Sequence, residues 1–299
     1  MNAPKVVLYF VILQFSIAGL LAQPAKPFYQ MNKREIDQVI RELSKKQWTP
    51  AQKINYISEY FLGTPYNLTC VGDGPYALYE TMPLVNFKET NCMAFCEHVL
   101  ALSVSDNWEN FFNNLQQIRY RDGIIGMKTR NHYTMADWLP QNHWLLKDAS
   151  AEVGGQYTKK VTRTISHKTF FAGKGITDTT DVLPDRTITI NYVPLDYLDE
   201  VEDNTQAGDI CAILFANMDN IFSAHMFMVV ENKGKKFIRE SSNSKMSTFD
   251  TPYDQWVKTK QEKYGKKYLG VSFMRVKAKL NKPGFIIKPW KIADMRKRN

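Results

Sequence analysis

Hydrophobic residues recur at helical spacing in three segments of the N-terminal half. Residues 35–43 and 51–61 each present an apolar face, and residues 106–118 carry tryptophan and phenylalanine on one side. Thr49 followed by Pro50 is typical of a helix start, because threonine caps the first turn and proline fits its first position. We therefore expect three amphipathic helices here.

The C-terminal half has the pattern of β-strands. Residues 208–215, 226–230 and 270–276 are short apolar runs. A turn at residues 232–235 separates the second run from residues 237–240. Two strands joined by such a turn predict a β-hairpin.

The middle of the chain is predicted as two strands joined by a loop. Residues 156–171 and 187–193 alternate between apolar and polar, and residues 172–186 are rich in Gly, Asp and Thr. Beside a cleft this loop would serve as a lid or as a simple connection. The whole pattern predicts an α+β fold, in which a cysteine-bearing helix packs on an antiparallel sheet, with N-terminal helices and an insertion near the site.

Cys92 stands where the cysteine-bearing helix is predicted to begin. Thr90 and Asn91 are candidate N-caps, and the apolar residues of 94–102 follow at helical spacing. A thiol in the first turn meets unpaired backbone N–H groups and the positive end of the helix dipole, and both favour the thiolate. The position suits a nucleophile, although cysteines in helices also serve as core residues.

His225 opens the second strand, and the hairpin brings Glu240 back beside it. A nucleophile, a base and an acceptor that orients the base form the general pattern of nucleophilic catalysis. The alternative is a histidine that only caps a strand.

Several motifs carry a resemblance to a known family. They are LGTPY at 62–66, NCMAFCE at 91–97, and GDI at 208–210 leading to AHM at 224–226. In composition and order they resemble the NlpC-type cell-wall cysteine hydrolases. RYRDG at 119–123, TRNHY at 129–133 and DWL at 137–139 resemble a narrower branch, the bacterial N-acetylmuramoyl-L-alanine amidase-like family. The resemblance covers residues 36–277.

The resemblance implies a papain-like core that hydrolyses the amide bond between N-acetylmuramic acid and L-alanine. Cys92 matches the family's nucleophile and His225 its general base. Glu240 stands where the family has a histidine, and a carboxylate can still accept a hydrogen bond from an imidazole. Asn91 replaces the family's aspartate before the cysteine, a mild change because both residues cap helices.

The resemblance also implies a set of residues that bind the oxyanion or the substrate. Tyr66 lies near the nucleophile in the family, with Asn91 beside it, while Arg130, His132 and Tyr133 match a wall of the substrate pocket. Arg130 is suited to a stem-peptide carboxylate, because its planar fork binds carboxylates at two points. A structural ion pair for Arg130 and a core position for His132 are the alternatives.

The first 22 residues have the organisation of a signal peptide. Lys5 precedes a short apolar run, and Ala22 provides a small residue at the cut. Residues 23–299 would then form a single catalytic domain in the bacterial periplasm or outside the cell, with no stable membrane insertion. Cleavage at a neighbouring alanine and a retained membrane anchor are the alternatives.

The formal net charge of +9 suits an anionic envelope polymer, so peptidoglycan or muropeptide fragments are the expected partners. Nucleic acid is not expected, because aromatic and basic residues are not interleaved in one strip. Much of the excess positive charge lies in the last 18 positions, where a solvated tail is the simplest interpretation.

Four cysteines in a chain of this length do not make a disulfide scaffold. Cys96 and Cys211 are predicted to be buried and Cys70 exposed, with a Cys70–Cys96 disulfide left open. A zinc site built from Cys92, Cys96 and His98 is disfavoured, because residues two apart on a helix face different sides. No metal and no cofactor are expected.

Two other functions fit the same sequence. One is an endopeptidase that cuts within the stem peptide, as many NlpC-type proteins do. The other is an inactive wall-binding module, for which the glutamate at position 240 is the one hint.

Overall fold

The computed structural model describes residues 26–298. Nine α-helices lie in this part of the chain: α1 (Lys33–Ser44), α2 (Pro50–Ile57), α3 (Cys92–Ser103), α4 (Trp108–Arg119), α5 (Leu139–Gln141), α6 (Ser150–Gly154), α7 (His167–Gly173), α8 (Tyr253–Tyr264) and α9 (Ile292–Lys297). Eight strands accompany them: β1 (Leu146–Asp148), β2 (Lys159–Ile165), β3 (Arg186–Pro194), β4 (Ile210–Phe215), β5 (Ser223–Asn232), β6 (Lys235–Ser242), β7 (Ser247–Pro252) and β8 (Tyr268–Val276).

The eight strands form one antiparallel sheet in the order β2-β3-β8-β4-β5-β6-β7, with β1 paired to β8 beyond the end of β3. The central strand β4 is buried almost throughout, and its residues divide between two hydrophobic clusters. Ile210, Ala212 and Leu214 join the larger cluster, while Cys211 and Ile213 join the smaller one. A strand covered on both faces reads as a continuous apolar run, which is why this segment does not alternate in sequence.

Local sequence explains the N-terminal helices. Asn32 and Thr49 each cap a helix start through a reciprocal capping box, with Glu35 and Gln52 as the respective partners. Pro50 occupies the first position of α2, as the sequence predicts. The mixed α+β class and the antiparallel sheet are confirmed.

The hairpin that supports the site follows from its turn. Lys233 and Gly234 have φ of 52° and 73°, the left-handed pair that a two-residue hairpin turn requires. The turn sets the register in which Met228 pairs with Arg239. One position further from the turn lie Phe227 on β5 and Glu240 on β6. His225 follows two positions beyond Phe227 on β5.

The prediction of a strand at residues 156–171 is wrong over its second half. β2 ends at Ile165, and α7 begins at His167 behind the capping side chain of Ser166. His167 and Phe171 are both buried, a spacing of four that is helical rather than alternating. Residues 174–185 remain a loop, which Lys174 ties to Glu80 at 2.9 Å.

The basic C-terminal segment is docked on the domain, although four of its six basic residues, Lys282, Lys291, Lys297 and Arg298, are exposed as its composition indicates. Ile287 and Ile292 are buried in the larger cluster. Lys288 pairs with Asp106 before α4, and Arg296 donates to the side chain of Gln117 at 2.6 Å. Within residues 26–298, none of the helices combines the length and apolar character that crossing a bilayer requires.

Candidate functional site

Cys92 is the first residue of α3, and Asn91 fixes that helix start. The side-chain oxygen of Asn91 accepts from the backbone N–H of Ala94 at 2.8 Å, and its amide donates to the carbonyl of Leu68 at 2.9 Å. The side chain predicted to bind substrate is therefore occupied as a cap. Cys92 is half-buried, with the unpaired N–H groups of the first turn around it.

His225 and Glu240 meet as the hairpin predicts. Nε2 of His225 lies 2.8 Å from Oε2 of Glu240, and the side chains are 18% and 6% exposed. The other carboxylate oxygen accepts from the indole Nε1 of Trp256 at 3.2 Å. Phe227 packs against both the His225 and Trp256 rings. Glu240 therefore has a fixed orientation. The imidazole of His225 uses one of its two nitrogens for the hydrogen bond to Glu240.

The thiol and the imidazole shift each other's titration in opposite directions. Burial alone would raise the pKa of Cys92, but the charge and hydrogen bond of His225 outweigh it and lower that pKa. Backbone N–H groups of Met226 and Met93 contribute in the same direction. Burial would lower the pKa of His225, yet Cys92 and Glu240 raise it to about 9. Each group therefore favours the charged form of the other, a thiolate on Cys92 and an imidazolium on His225.

Glu240 keeps its charge in this setting. Burial would raise the pKa of its carboxyl group, but the hydrogen bond and charge of His225 lower it overall. An ionised Glu240 accepts from Nε2–H of His225, so the other ring nitrogen, Nδ1, is the one available to Cys92.

The other three cysteines differ from Cys92. Cys70, Cys96 and Cys211 are buried free thiols. Burial raises the pKa of all three, that of Cys70 to about 11. The prediction that Cys70 is exposed is wrong, because it packs against Val71 and Ala94 under the start of α3. The Cys70–Cys96 disulfide is not formed.

Tyr66 lies close to Cys92 on a short extended segment. It pairs with Thr90 just before the helix start, and its backbone N–H donates to Met246 at 3.0 Å. Burial and then the charge of Cys92 raise the pKa of its phenol. Tyr66 is thus protonated at neutral pH and can donate a hydrogen bond beside the sulfur.

A cavity of about 180 Å³ opens beside the start of α3. Its lining includes Asn91 and Met93, which flank Cys92, together with Arg130 and His132. The structure thus brings these predicted residues together around one space. Glu80, which the sequence analysis did not single out, also lines it.

Arg130 is held in an ion pair. Its Nη1 lies 2.6 Å from Glu80 and 3.7 Å from Asp73, and Lys174 contacts the other oxygen of Glu80. A substrate carboxylate would therefore have to share Arg130 with Glu80. This arrangement matches the structural ion pair that the sequence left as an alternative.

His132 and Tyr133 are largely packing residues in this structure. Burial lowers the pKa of His132 to about 4, and its Nε2 lies 2.7 Å from the carbonyl of Met127. Tyr133 packs its ring edge-on against His167 and Phe170. Tyr133 also lines a small cleft with Ser223, at the start of the strand that carries His225.

The described part of the chain shows no cluster of three or more His, Cys, Asp or Glu side chains that could hold a metal ion.

Trp256 is the main residue of the site that the sequence did not reveal, since only the packing of α8 on the sheet brings its indole to Glu240.

A mixed α+β domain in which the Cys92 thiol lies beside an imidazole that is hydrogen-bonded to a carboxylate defines a protein with a candidate nucleophilic site. The family model described as AmiA-like, N-acetylmuramoyl-L-alanine amidase-like, matches residues 56–265. The chain belongs to this family of amidase-like hydrolases. No match was found among the curated proteins.

Solved structures share the fold. A Legionella pneumophila protein of the DUF1460 family model is 20% identical, with a TM-score of 0.71 over 82% of this chain and 94% of that one. An N-acetylmuramoyl-L-alanine amidase from Bacteroides uniformis is 23% identical, with a TM-score of 0.60 over 76% and 99%. A Bacteroides fragilis protein whose name proposes a xylanase is 25% identical, with a TM-score of 0.57 over 73% and 98%.

Proposed function

We propose that this protein is a cysteine hydrolase of peptidoglycan that cleaves the amide bond between N-acetylmuramic acid and L-alanine. The row Cys92–His225–Glu240 at the start of α3 carries this proposal. A lowered pKa on the thiol and a raised pKa on the imidazole are what nucleophilic attack and protonation of a leaving amine require. The family supports an amide substrate in the cell wall.

The reaction begins with attack by the Cys92 thiolate on the lactyl carbonyl of the muramic acid. The developing oxyanion is placed against the backbone N–H of Cys92, at the positive end of α3, with the Tyr66 hydroxyl as second donor. The imidazolium of His225 then gives its Nδ1 proton to the alanine nitrogen, and the C–N bond breaks. This leaves a muramoyl thioester on Cys92 and a free stem peptide.

Water completes the cycle. Neutral His225 takes a proton from a water molecule, which attacks the thioester carbonyl, and the sulfur leaves as thiolate. The products are a sugar with a free lactyl carboxylate and the regenerated ion pair. Glu240 acts as a positioning residue throughout, because its hydrogen bond holds Nδ1 of His225 toward the sulfur.

A stem-peptide endopeptidase would use the same row, so the choice between the two reactions depends on the substrate. A disaccharide that carries only L-Ala-D-Glu contains the muramoyl amide but no peptide bond beyond D-Glu. The amidase is expected to release the dipeptide. An enzyme that cuts only longer stems, leaving this compound intact, is the endopeptidase instead.

Changing Glu240 tests the mechanism through pH. In the wild type, activity should fall as pH rises through about 9, where His225 loses the proton that the leaving amine needs. It should also fall in acid, as the thiolate of Cys92 is protonated. Cys92 is the main group that raises the pKa of His225, and Glu240 adds to it. Glu240→Gln removes the charge of the second group, so the alkaline limb should move to lower pH and kcat should fall roughly tenfold.

Glu240→Ala, which removes the acceptor as well, should be slower than Glu240→Gln at an unchanged KM. Glu240→His restores the residue that the family has at this position and should retain substantial activity. An alkaline limb that stays in place in both Glu240→Gln and Glu240→Ala would show that Glu240 does not set the titration of His225.

We further propose that the protein is exported and processed near Ala22. This segment lies outside the described residues, so the sequence alone supports the proposal. N-terminal sequencing of protein expressed from the full reading frame in a bacterium should give a chain that begins near Gln23, in the periplasmic or external fraction. An uncut chain in the membrane fraction would mean that the segment is an anchor.

A further inference from the structure

A second cavity lies between α2 and the turn of the β5–β6 hairpin. It has a volume of about 500 Å³, within the range that binds small molecules. Trp48 and Tyr56 supply aromatic walls, and their rings meet edge to face at 5.1 Å. Glu59, Glu231 and Lys233 supply polar groups around them.

The walls of this cavity are fixed before any ligand arrives. The amide of Asn55 donates to the carbonyl of Glu231 at 3.0 Å and accepts from its N–H at 2.8 Å. This two-way bond ties α2 to the hairpin. A preformed site loses less entropy when a ligand binds than one that must be assembled.

Glu59 has an unused carboxylate in this cavity. Among the described residues its side chain makes no hydrogen bond and no ion pair, although it is half-buried. Burial raises its pKa, against the opposing charge of Arg239. A ligand that brings hydroxyl or amide donors would supply the hydrogen bonds that this group lacks.

We infer that this cavity binds the glycan strand of peptidoglycan through its N-acetylated sugars. The apolar face of a pyranose ring packs on an aromatic ring, and its hydroxyl and acetamido N–H groups donate to carboxylates. Glu59 and Glu231 are balanced by Lys233 and by Lys46, whose ammonium lies 6.0 Å from the centroid of the Trp48 ring, so no excess positive charge selects the carboxylate-bearing stem peptide. The choice of polymer rests on the proposed function.

The position of the cavity gives the site a separate role from hydrolysis. Glu231 lies six positions after His225 along β5, a span of about 20 Å at the usual rise of a strand. One disaccharide cannot occupy both places. The remote site therefore holds another part of the polymer, so it should favour long glycan strands over small turnover fragments.

The test is calorimetric titration of the full mature chain carrying Cys92→Ala with the N-acetylglucosamine tetramer. The tetramer should bind, and adding Trp48→Ala or Glu59→Gln should weaken binding about tenfold. Glu59→Gln keeps the side-chain volume, so it decides the matter if Trp48→Ala does not fold. Trp290→Ala is the matched control, since Trp290 is 67% exposed and lies outside the cavity.

Two results would overturn this inference: no binding of the tetramer, or binding that Glu59→Gln leaves as tight as in the parent. With Cys92 intact, Glu59→Gln should hydrolyse the soluble disaccharide dipeptide within twofold of wild type. Absence of that hydrolysis in the wild type would contradict the proposed function, while the titration would still decide whether the remote site exists.

Discussion

Replacing Cys92 with alanine is expected to reduce hydrolysis of a defined muropeptide by about 10⁴-fold or more, because nucleophile and base act as one unit. The fold should survive, since the side chain is small and half-buried at a helix start that Asn91 caps. Initial rates of product release compare the activities of wild type and Cys92→Ala, and circular dichroism on the same samples checks that the fold is unchanged.

Cys96→Ala is the matched control for this variant. Cys96 lies one turn further along α3, is fully buried and has a raised pKa, so its loss should change the rate only a few-fold. In the wild type, iodoacetamide near neutral pH should label Cys92 ahead of the other three cysteines. Near-normal turnover by Cys92→Ala would overturn the assignment of the nucleophile.

The largest expected effect on stability comes from the ion pair behind the cysteine helix. Glu97 of α3 and Arg119 of α4 meet at 2.7 Å, with side chains 3% and 0% exposed. Glu97→Leu would leave a buried guanidinium without its counter-charge, at a cost of about 3–5 kcal/mol in the free energy of unfolding. Thermal unfolding should show a midpoint roughly 10 °C lower.

A double variant separates the pair from simple packing. Adding Arg119→Met to Glu97→Leu removes the uncompensated charge, so the double variant should be more stable than Glu97→Leu alone. The double variant should regain only part of the lost stability, because it also loses the hydrogen bond that Arg119 donates to the carbonyl of Leu84. If Glu97→Leu lowers the free energy of unfolding by less than about 1 kcal/mol, the ion pair contributes little to stability.

The parts of the site that depend on neighbouring residues in the sequence could be predicted from the sequence. Asn91 and Cys92 could be placed at a helix start from capping preference alone, and the turn at Lys233 and Gly234 was enough to bring Glu240 to His225. Capping and two-residue turns involve neighbours in sequence, so their physics is visible without the fold.

The missed features depend on contacts between distant segments. Trp256 reaches Glu240 only because α8 packs on the sheet, and Glu80 meets Arg130 across 50 positions of sequence. Cys70 was expected to be exposed because its neighbours are turn-forming, yet the start of α3 covers it. Composition alone also does not show that the C-terminal segment docks on the domain, because Ile287 and Ile292 anchor it in the larger cluster.

The proposed cleavage of the muramoyl–L-alanine amide by Cys92 is tested most directly by mass spectrometry of the products formed from a muropeptide with a complete stem, treated in parallel with wild type and Cys92→Ala. Wild type is expected to yield two products, an intact stem peptide with a free N-terminal L-alanine and a sugar with a free lactyl carboxylate. Cys92→Ala should yield neither. Cleavage within the stem peptide by wild type, or the same two products from Cys92→Ala, would contradict this proposal.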